Sequence, residues 1–335
     1  MKGAGGKPRV VWKGGVHLAG TPLWCDALSV REACFLSSAR VAEARRHRQV
    51  IATDATLKLL PRPRPGRVAT TTLAVPYGRP FSLGALRLEL FPSGHVVGAA
   101  SLAVDLGGPR VVYAGTVNPA GGGLAGAAEV RPCDTLVLDG SFGHPRFRFP
   151  GAAETAAELG AWLDRTLAEG STPVLLADPL ATAPDLALLL HPVVPLRAHR
   201  GIVDLVRKLR GLGHARLPAL RRFEGTPARG EVVLWPADGH GGPARRARAI
   251  AGIRRPRVAL VSGWAMDPEV LEGLEADAGF ALAAQAGWDE LIEYVRQTGA
   301  REVYLTGGGE ELARELAARG LSAWLLGPPR QLALL

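Results

Sequence analysis

The sequence has little cysteine, little lysine, few aromatic residues and no long apolar run. Its three cysteines, Cys25, Cys34 and Cys133, are far apart, and none belongs to a Cys-x-x-Cys pair. This pattern excludes a disulfide framework and a cysteine-rich zinc site. No stretch approaches the roughly 18 consecutive apolar residues of a membrane span, and no signal-peptide-like apolar run follows the basic N-terminus. We therefore expect a soluble protein of the reducing cytoplasm.

Basic residues outnumber acidic ones. Forty Lys and Arg residues against 31 Asp and Glu residues give a formal net charge of +9. Such an excess points to a polyanionic partner. Only five of the basic residues are lysines, and an arginine and alanine bias is also what a GC-rich genome produces by codon drift. Charge alone therefore leaves nucleic acid binding and compositional bias both open. Because aromatic residues make up 6% of the chain, extensive base stacking is not expected.

The length and the apolar pattern predict a layered α/β protein. A chain of 335 residues, 47% of them hydrophobic, has material for two domains, or for one domain with a large insertion. Short apolar runs between glycine and proline turns predict strands through about residue 147. In Glu154–Glu169 the apolar residues recur at the spacing of a helix. From Val258 to Leu326 the predicted strands and helices alternate. This order predicts a module inserted near residues 150–255.

The individual elements follow from the same patterns. Strands are predicted at Val10–Trp12, Ala33–Leu36, Val50–Ala52, Leu86–Phe91, Ser101–Leu106, Arg110–Ala114, Thr135–Leu138, Pro173–Ala177, Glu231–Trp235, Val258–Gly263, Glu302–Leu305 and Ser322–Leu326. Helices are predicted near Arg40–Arg48 and at Glu154–Glu169, Gly201–Leu212, Trp288–Thr298 and Glu310–Arg319. The stretch Leu217–Gly230 is predicted to be rich in loops.

Four segments, in this order, resemble motifs of one protein family. They are PSGHVVGAASLAVDL (Pro92–Leu106), VVYAGTVN (Val111–Asn118), CDTLVLDGSFGHPRFRFP (Cys133–Pro150), and VSGWA (Val261–Ala265) followed by Gly279–Gly309. Together they resemble the metallo-β-lactamase fold in its β-CASP branch of nucleic acid processing nucleases. The likeness extends to the short bacterial DNA ligase-associated exonucleases and messenger RNA 3′-end processing factor homologues. It implies an αββα sandwich built from residues 1–149 and 257–335, with a β-CASP-like insertion over residues 150–256.

The family hydrolyses phosphodiesters with two zinc ions that share a nucleophilic water. This sequence departs from the ligand set that the resemblance implies. The family's His-x-His-x-Asp-His loop is replaced at its ligand positions by Ser38, Arg40, Ala42 and Glu43. Three further ligand or catalytic positions, for a bridging Asp, a His that acts on the leaving group and a final His, hold Thr116, Gln285 and Gly307. His95 matches a ligand, and Asp139 matches an acidic residue that orients one.

The substitutions predict a catalytically degenerate homologue without a metal cofactor. A single imidazole cannot hold a hydrolytic dinuclear site, and Arg40 would add a fixed positive charge that repels a cation. His95 either shapes a tight loop through backbone hydrogen bonds or keeps residual metal binding. Asp139 is expected to cap the Ser141–Gly143 turn. Arg40 either pairs with Glu43 or binds phosphate, or both are ordinary solvated residues.

Three arginine-rich stretches are candidates for a nucleic acid surface. They are Arg40–Arg48, Arg207–Arg222 and Arg245–Arg257, and the last two lie in or beside the predicted insertion, which in the family clamps over the nucleic acid strand. Guanidinium groups bind phosphates through paired hydrogen bonds, with salt-dependent and sequence-independent affinity. The predicted contacts are Arg207, Lys208, Arg210, Arg245, Arg246 and Arg248. A plain solvated surface is the alternative.

Three functions follow from these observations. The first is a degenerate homologue that binds single-stranded DNA or RNA, or a β-CASP, ligase or helicase partner, in DNA repair or RNA processing. The second is a working zinc-dependent exonuclease or phosphodiesterase whose site is rearranged around His95, Asp139 and Asp134. The third is a structural interaction protein whose basic surface has no ligand.

Overall fold

A computed structural model describes residues 10–40, 47–61, 70–105, 107–121, 123–237, 246 and 248–328. These residues form a mixed α/β structure with two compact units. The first unit contains the described residues of Met1–Gly121, Ala125–Pro145 and Gln285–Leu335, and the second contains those of Gly122–Leu124 and Arg146–Ala284. The first unit is therefore assembled from separate parts of the chain. The boundaries predicted for the insertion, residues 150 and 256, both fall within the second unit.

The first sheet belongs to the first unit and keeps its strands in sequence order. The strands are β1 (Val10–Trp12), β2 (Val16–Leu18), β3 (Leu23–Cys25), β4 (Ala33–Phe35), β5 (Gln49–Ala52) and β6 (Thr71–Ala74). Strands β3 to β6 are parallel, so the segments that follow β3 and β4 leave the sheet at the same edge. Thr53 is the N-cap of helix α1 (Asp54–Leu59), and its hydroxyl accepts a hydrogen bond from the N–H of Thr56.

The second sheet, also in the first unit, has the order β19-β18-β11-β10-β9-β8-β7. Its strands are β7 (Phe81–Leu83), β8 (Leu86–Pro92), β9 (Ala100–Asp105), β10 (Arg110–Gly115), β11 (Thr135–Asp139), β18 (Glu302–Thr306) and β19 (Ser322–Leu325). Strands β10, β11 and β18 are parallel neighbours. Since β9 is antiparallel to both β8 and β10, β8 runs in the same direction as β10. Strands β8, β10, β11 and β18 therefore end at one edge of this sheet.

The third sheet lies in the second unit, and its strand pairs are all parallel. Its order is β14-β13-β15-β12-β16-β17, with β12 (Thr172–Ala177), β13 (Leu196–Ala198), β14 (Arg221–Arg222), β15 (Val232–Pro236), β16 (Pro256–Val261) and β17 (Ala278–Phe280). The buried runs VLLA at 174–177 and VVLW at 232–235 are nearly free of polar residues. Such runs are typical of a parallel sheet that is covered on both faces.

The remaining helices divide between the two units. The second unit contains α2 (Ala152–Ala168), α3 (Thr182–Leu190), α4 (Arg200–Gly211) and α5 (Pro268–Gly273), and the first contains α6 (Trp288–Thr298) and α7 (Glu310–Ala318). None of the described helices combines the length and the apolar character needed to cross a membrane.

The first unit is built in layers. The two sheets pack face to face, with Phe35 of the first sheet and Leu102 of the second in one core cluster. On the other face of the second sheet, Tyr294 of α6 and Leu312 of α7 are buried in a separate cluster. Leu57 of α1 packs on the other face of the first sheet. Apolar side chains are thus removed from water on both faces of each sheet.

The longer elements agree with the sequence patterns, and so do the short strands β1 and β4, but several other short elements were not predicted. The predicted helix Trp288–Thr298 is α6, and Glu154–Glu169 differs from α2 by two residues at its start and one at its end. Three-residue strands such as β2 and β3 were missed because they are too short to establish a period. Helix α3 was missed because apolar residues cover nearly all its sides. Of the helix predicted near Arg40–Arg48, residues 41–46 lie outside the described part, and Arg48 is not helical.

Candidate functional site

Four of the residues singled out from the sequence follow strands that end at the same sheet edge. His95 lies in the loop after β8, Thr116 directly follows β10, Asp139 is the last residue of β11, and Gly307 follows β18. Because these strands run in one direction, the chain delivers all four residues to that edge. We call this region the strand-end site.

Asp139 is held at this site by hydroxyl and amide donors. The Thr116 hydroxyl donates to Asp139 Oδ2 with an Oγ1 to Oδ2 distance of 2.6 Å. Asp139 Oδ1 accepts the backbone N–H of Ser141 at 2.9 Å and its hydroxyl at 2.6 Å. Both carboxylate oxygens therefore accept hydrogen bonds from the protein itself, which orients the carboxylate and occupies part of its acceptor capacity.

Gly307 brings its backbone against the same carboxylate. Its φ angle is +73°, in the left-handed region that favours glycine. A Cβ atom on this residue would lie 2.6 Å from Ser141 Oγ and 2.8 Å from Asp139 Oδ1. No side chain larger than hydrogen fits without movement of these groups, so a histidine ligand at this position would require rearrangement of the turn.

A second carboxylate, Asp26, belongs to the site and was missed from the sequence. Asp26 follows β3, and its Oδ1 accepts the N–H of Ser37 at 2.8 Å. Its Oδ2 accepts the Ser37 hydroxyl at 2.5 Å and the Tyr113 hydroxyl at 2.8 Å. A signal was present, because this acidic residue directly follows the apolar run Leu23–Cys25. A charge placed at the end of a buried strand must find polar partners.

Burial dominates the electrostatics of Asp26. Removal from water raises the pKa of its carboxyl, the hydrogen bonds from Ser37 and Tyr113 lower it by less, and the negative charge of Asp139 raises it further. Burial and the Asp26 charge also raise the pKa of Tyr113 well above its usual value. The two carboxylates therefore interact across the site.

Arg40 lies beside the imidazole of His95. His95 is buried, and its Nε2 lies 3.4 Å from Nη1 of the exposed Arg40. The N–H of Arg40 donates to the hydroxyl of the buried Ser38 at 3.4 Å. Ala42 and Glu43 lie outside the described residues, so the pairing of Glu43 with Arg40 stays a prediction.

Gln285 also lies near the end of β10. The N–H of Ala286, the next residue, donates to the carbonyl of Val117 at 2.7 Å, and Val117 follows Thr116. The side chain of Gln285 is partly exposed. The position at which the resemblance implies a catalytic histidine thus carries a neutral amide.

The residues at the strand-end site do not fit two zinc ions. Hydrolytic zinc is held by imidazole, thiolate and carboxylate ligands. The predicted ligand positions that the structure describes instead carry two hydroxyls, an amide, a glycine, a guanidinium and a single imidazole, at Ser38, Thr116, Gln285, Gly307, Arg40 and His95. Across the described part of the chain, no group of three or more His, Cys, Asp or Glu side chains could hold a metal ion. The described residues of the strand-end site therefore do not fit a dinuclear zinc centre.

Asp134 cannot join a rearranged site with Asp139. It precedes β11, whereas Asp139 ends this five-residue strand. A strand of that length separates the two residues by roughly 17 Å. Asp134 Oδ2 instead accepts the N–H of Arg110 at 2.8 Å, at the opposite edge of the sheet. The hypothesis that grouped Asp134 with His95 and Asp139 is wrong on this point.

The predicted nucleic acid contacts lie in the second unit, and their exposure differs. Arg207, Lys208 and Arg210 are exposed near the end of α4, with Arg207 Nη1 3.2 Å from Oδ1 of Asp204. Arg248 is exposed as well. These side chains are available to solvent and to a polyanion.

Arg246 has a different environment. Its residue is only 8% exposed, and its guanidinium donates to the carbonyl of Leu274 and lies 4.0 Å from Glu275. Burial lowers the pKa of this guanidinium, although Glu275 opposes the effect. Since the side chain is directed to the interior, we leave Arg246 out of any binding surface. Arg245 lies outside the described residues.

Comparison with known proteins finds a similarity to a much longer protein. No protein-family profile matches the chain. A protein from Opitutus terrae named probable DNA ligase is 27% identical over 324 residues. The alignment covers 96% of this chain and 31% of that protein, so the chain spans about a third of the length of the curated relative it matches.

Proposed function

We propose that this chain is a catalytically degenerate relative of the β-CASP nucleases that binds nucleic acid in DNA metabolism, beside or as part of a DNA ligase. One observation carries the proposal. At the strand-end site, Thr116 occupies the position of a bridging carboxylate and donates its hydrogen to Asp139. The site is thereby completed by hydrogen bonds, and its architecture no longer depends on a bound cation.

The layering of the first unit supports the fold that the resemblance implies. Two sheets pack face to face with helices on their outer faces, as in an αββα sandwich. The main part of the second unit, Arg146–Ala284, lies in the sequence between β11 and α6. An insertion between these elements is where the β-CASP module is expected from the sequence.

The charge at the site supports the loss of catalysis. A dinuclear zinc site needs several anionic or imidazole ligands around two divalent cations. Here the single imidazole of His95 has the guanidinium of Arg40 beside it, and a fixed cation opposes the binding of further positive charge. The same guanidinium is suited to a phosphate.

The relative supports the connection to DNA. Nearly the whole chain aligns with about a third of a protein named probable DNA ligase. In that polypeptide a region similar to this chain is joined to further sequence. We propose that the chain contributes nucleic acid binding where a ligase acts, either on one polypeptide or as a separate partner.

The second unit offers a surface for this binding, which we call the basic surface. Residues 207–230 contain seven basic residues and one acidic residue, Glu224. All seven basic residues are exposed, and they are Arg207, Lys208, Arg210, Arg216, Arg221, Arg222 and Arg229. Each phosphate contact releases counterions, so the affinity is expected to fall steeply as salt rises.

Oligonucleotide binding tests the proposal. We expect a fluorescein-labelled single-stranded oligodeoxynucleotide to bind the purified chain at low salt, with affinity that falls with salt concentration. The double variant Lys208→Gln and Arg210→Gln should bind about tenfold more weakly. The matched control is Arg314→Gln with Arg319→Gln, which removes the same charge from two exposed residues, one in α7 and one at its C-cap. Absence of binding at low salt, or equal losses in both variants, would overturn the proposal.

A further inference from the structure

A cavity of about 490 Å³ lies in the second unit. The segment that follows α3 lines it with Pro192, Val193, Val194, Pro195 and Leu196, together with Ala219, and the polar residues His191, Arg221 and Glu231 complete the lining. Its volume falls within the range of ligand pockets, and six of the nine residues that line it are apolar.

The charge of the cavity is set by Arg221. Glu231 is buried, and both its carboxylate oxygens lie 2.9 Å from Nε of Arg197. Its Oε2 also accepts the N–H of Ala228 at 2.7 Å. The negative charge of Glu231 is therefore compensated within the fold. Arg221, which is exposed and lines the same cavity, belongs to the basic surface and adds a positive charge to the cavity lining.

The cavity combines the features that unstacked bases require. Val193, which lines the cavity, is 73% exposed and does not belong to the core cluster of the second unit. It therefore offers an apolar surface to a ligand. His191 and Arg221 both line the cavity, and an imidazole or a guanidinium is a planar group on which a base can stack. A guanidinium in this place can also contact the adjoining phosphate.

We propose that this cavity binds one unpaired base of a single-stranded nucleic acid while the basic surface holds the phosphate backbone. The inference rests on the proposed function, because the strand must first be bound at that surface. It adds a base-dependent contact to an affinity that phosphates alone would make independent of the bases.

The chain contains a matched control beside Arg221. Arg222 is the next residue of β14. It is exposed, as Arg221 is, but it does not line the cavity. Successive side chains of a strand point to opposite faces. Replacement of either arginine by alanine therefore removes the same charge from the same strand, and only Arg221→Ala changes the cavity.

The experiment compares an octathymidylate with an octamer of abasic residues, which keeps the phosphates and lacks the bases. We expect the unmodified protein to bind the octathymidylate about tenfold more tightly. Arg221→Ala should remove most of this preference. Arg222→Ala should weaken both complexes by a similar factor, about twofold to threefold, and keep the preference. Val193→Glu, at an exposed position that tolerates a polar residue, should reduce binding of the octathymidylate more than that of the abasic octamer.

The outcomes separate the two proposals. Failure of both oligonucleotides to bind at low salt would overturn the proposed function and this inference together. Equal binding of both oligonucleotides by the unmodified protein, or the same preference in Arg221→Ala as in Arg222→Ala, would overturn the base-binding cavity while leaving nucleic acid binding intact.

Discussion

Thr116 donates its hydroxyl hydrogen to Asp139 across two neighbouring parallel strands, with 2.6 Å between Oγ1 and Oδ2. The resemblance implies an aspartate at residue 116. Two carboxylates this close would repel each other unless a cation or a proton lay between them. Threonine removes the repulsion and supplies a donor, so the strand ends stay together without a metal ion.

The first prediction concerns this hydrogen bond. Thr116→Val keeps the shape of the side chain and removes the donor to Asp139. We expect the free energy of unfolding to fall by about 1–2 kcal/mol, because a partly buried carboxylate loses a partner. Thr116→Ser keeps the hydroxyl and should retain most of that stability. Equilibrium urea denaturation measures both variants, and equal stability of Thr116→Val and the parent protein would contradict the role given to this bond.

The second prediction concerns Gly307, whose backbone lies against Asp139. Gly307→Ala adds a Cβ at a φ of +73° and 2.6 Å from Ser141 Oγ. The control is Gly320→Ala, where φ is +83° and no atom lies within 4 Å of the added Cβ. Gly320→Ala should cost about 1 kcal/mol from conformation alone. Gly307→Ala should cost at least about 1 kcal/mol more, because overpacking adds to the strain. Equal melting temperatures of the two variants would show that the turn has room for a side chain.

The third prediction is a pH dependence caused by Asp185 in α3. Its Oδ1 accepts the N–H of Leu124 at 3.0 Å, and burial raises the pKa of its carboxyl from 3.8 to about 6. Between these pH values the folded state binds more protons than the unfolded state, so stability falls as pH rises through this window. Asp185→Asn stays neutral and does not share this loss.

The comparison of Asp185→Asn with the parent protein isolates the effect. Their unfolding free energies should be similar near pH 4. Above pH 6 the variant should be more stable, by up to about 3 kcal/mol, since each pKa unit corresponds to about 1.4 kcal/mol. Denaturant titrations at several pH values measure the difference, and profiles that run parallel from pH 4 to pH 7 would contradict it.

The fourth prediction concerns metals and catalysis. Elemental analysis of the purified chain is expected to find far less than one zinc or manganese ion per molecule, because the strand-end site lacks the required donors. Added zinc should leave the thermal unfolding temperature unchanged, since a ligand that binds the folded state raises it. Two bound metals per chain, or phosphodiesterase activity that depends on them, would refute the noncatalytic assignment.

Some residues of the strand-end site can be identified from the sequence, and others cannot. His95, Thr116, Asp139 and Gly307 are recognisable because they stand at the ends of apolar runs within family-like motifs. Asp26 is recognisable only as a charge beside a short strand. Its hydrogen-bond partner Tyr113 lies 87 residues further along the chain, and no local period links the two.

The basic stretches illustrate the same limit. Arg246 and Arg248 have the same charge and similar neighbours in sequence, yet one is buried against Leu274 and the other is exposed. Arg221 and Arg222 are adjacent, and only Arg221 lines the cavity. Contacts between residues far apart in the sequence determine which guanidinium is exposed to solvent or to a ligand. The residue composition does not predict this exposure.

The sequence by itself determined the α/β class, the longer helices and strands, and which residue types stand at the positions where the resemblance implies metal ligands, because periodicity and residue chemistry are local properties of the chain. Only the tertiary structure decided that Asp26 and Asp139 share one site, that Asp134 lies at the other sheet edge, and that Arg221 lines a cavity. These relationships depend on strand direction and sheet order, which are set by the burial of whole faces and not by neighbouring residues.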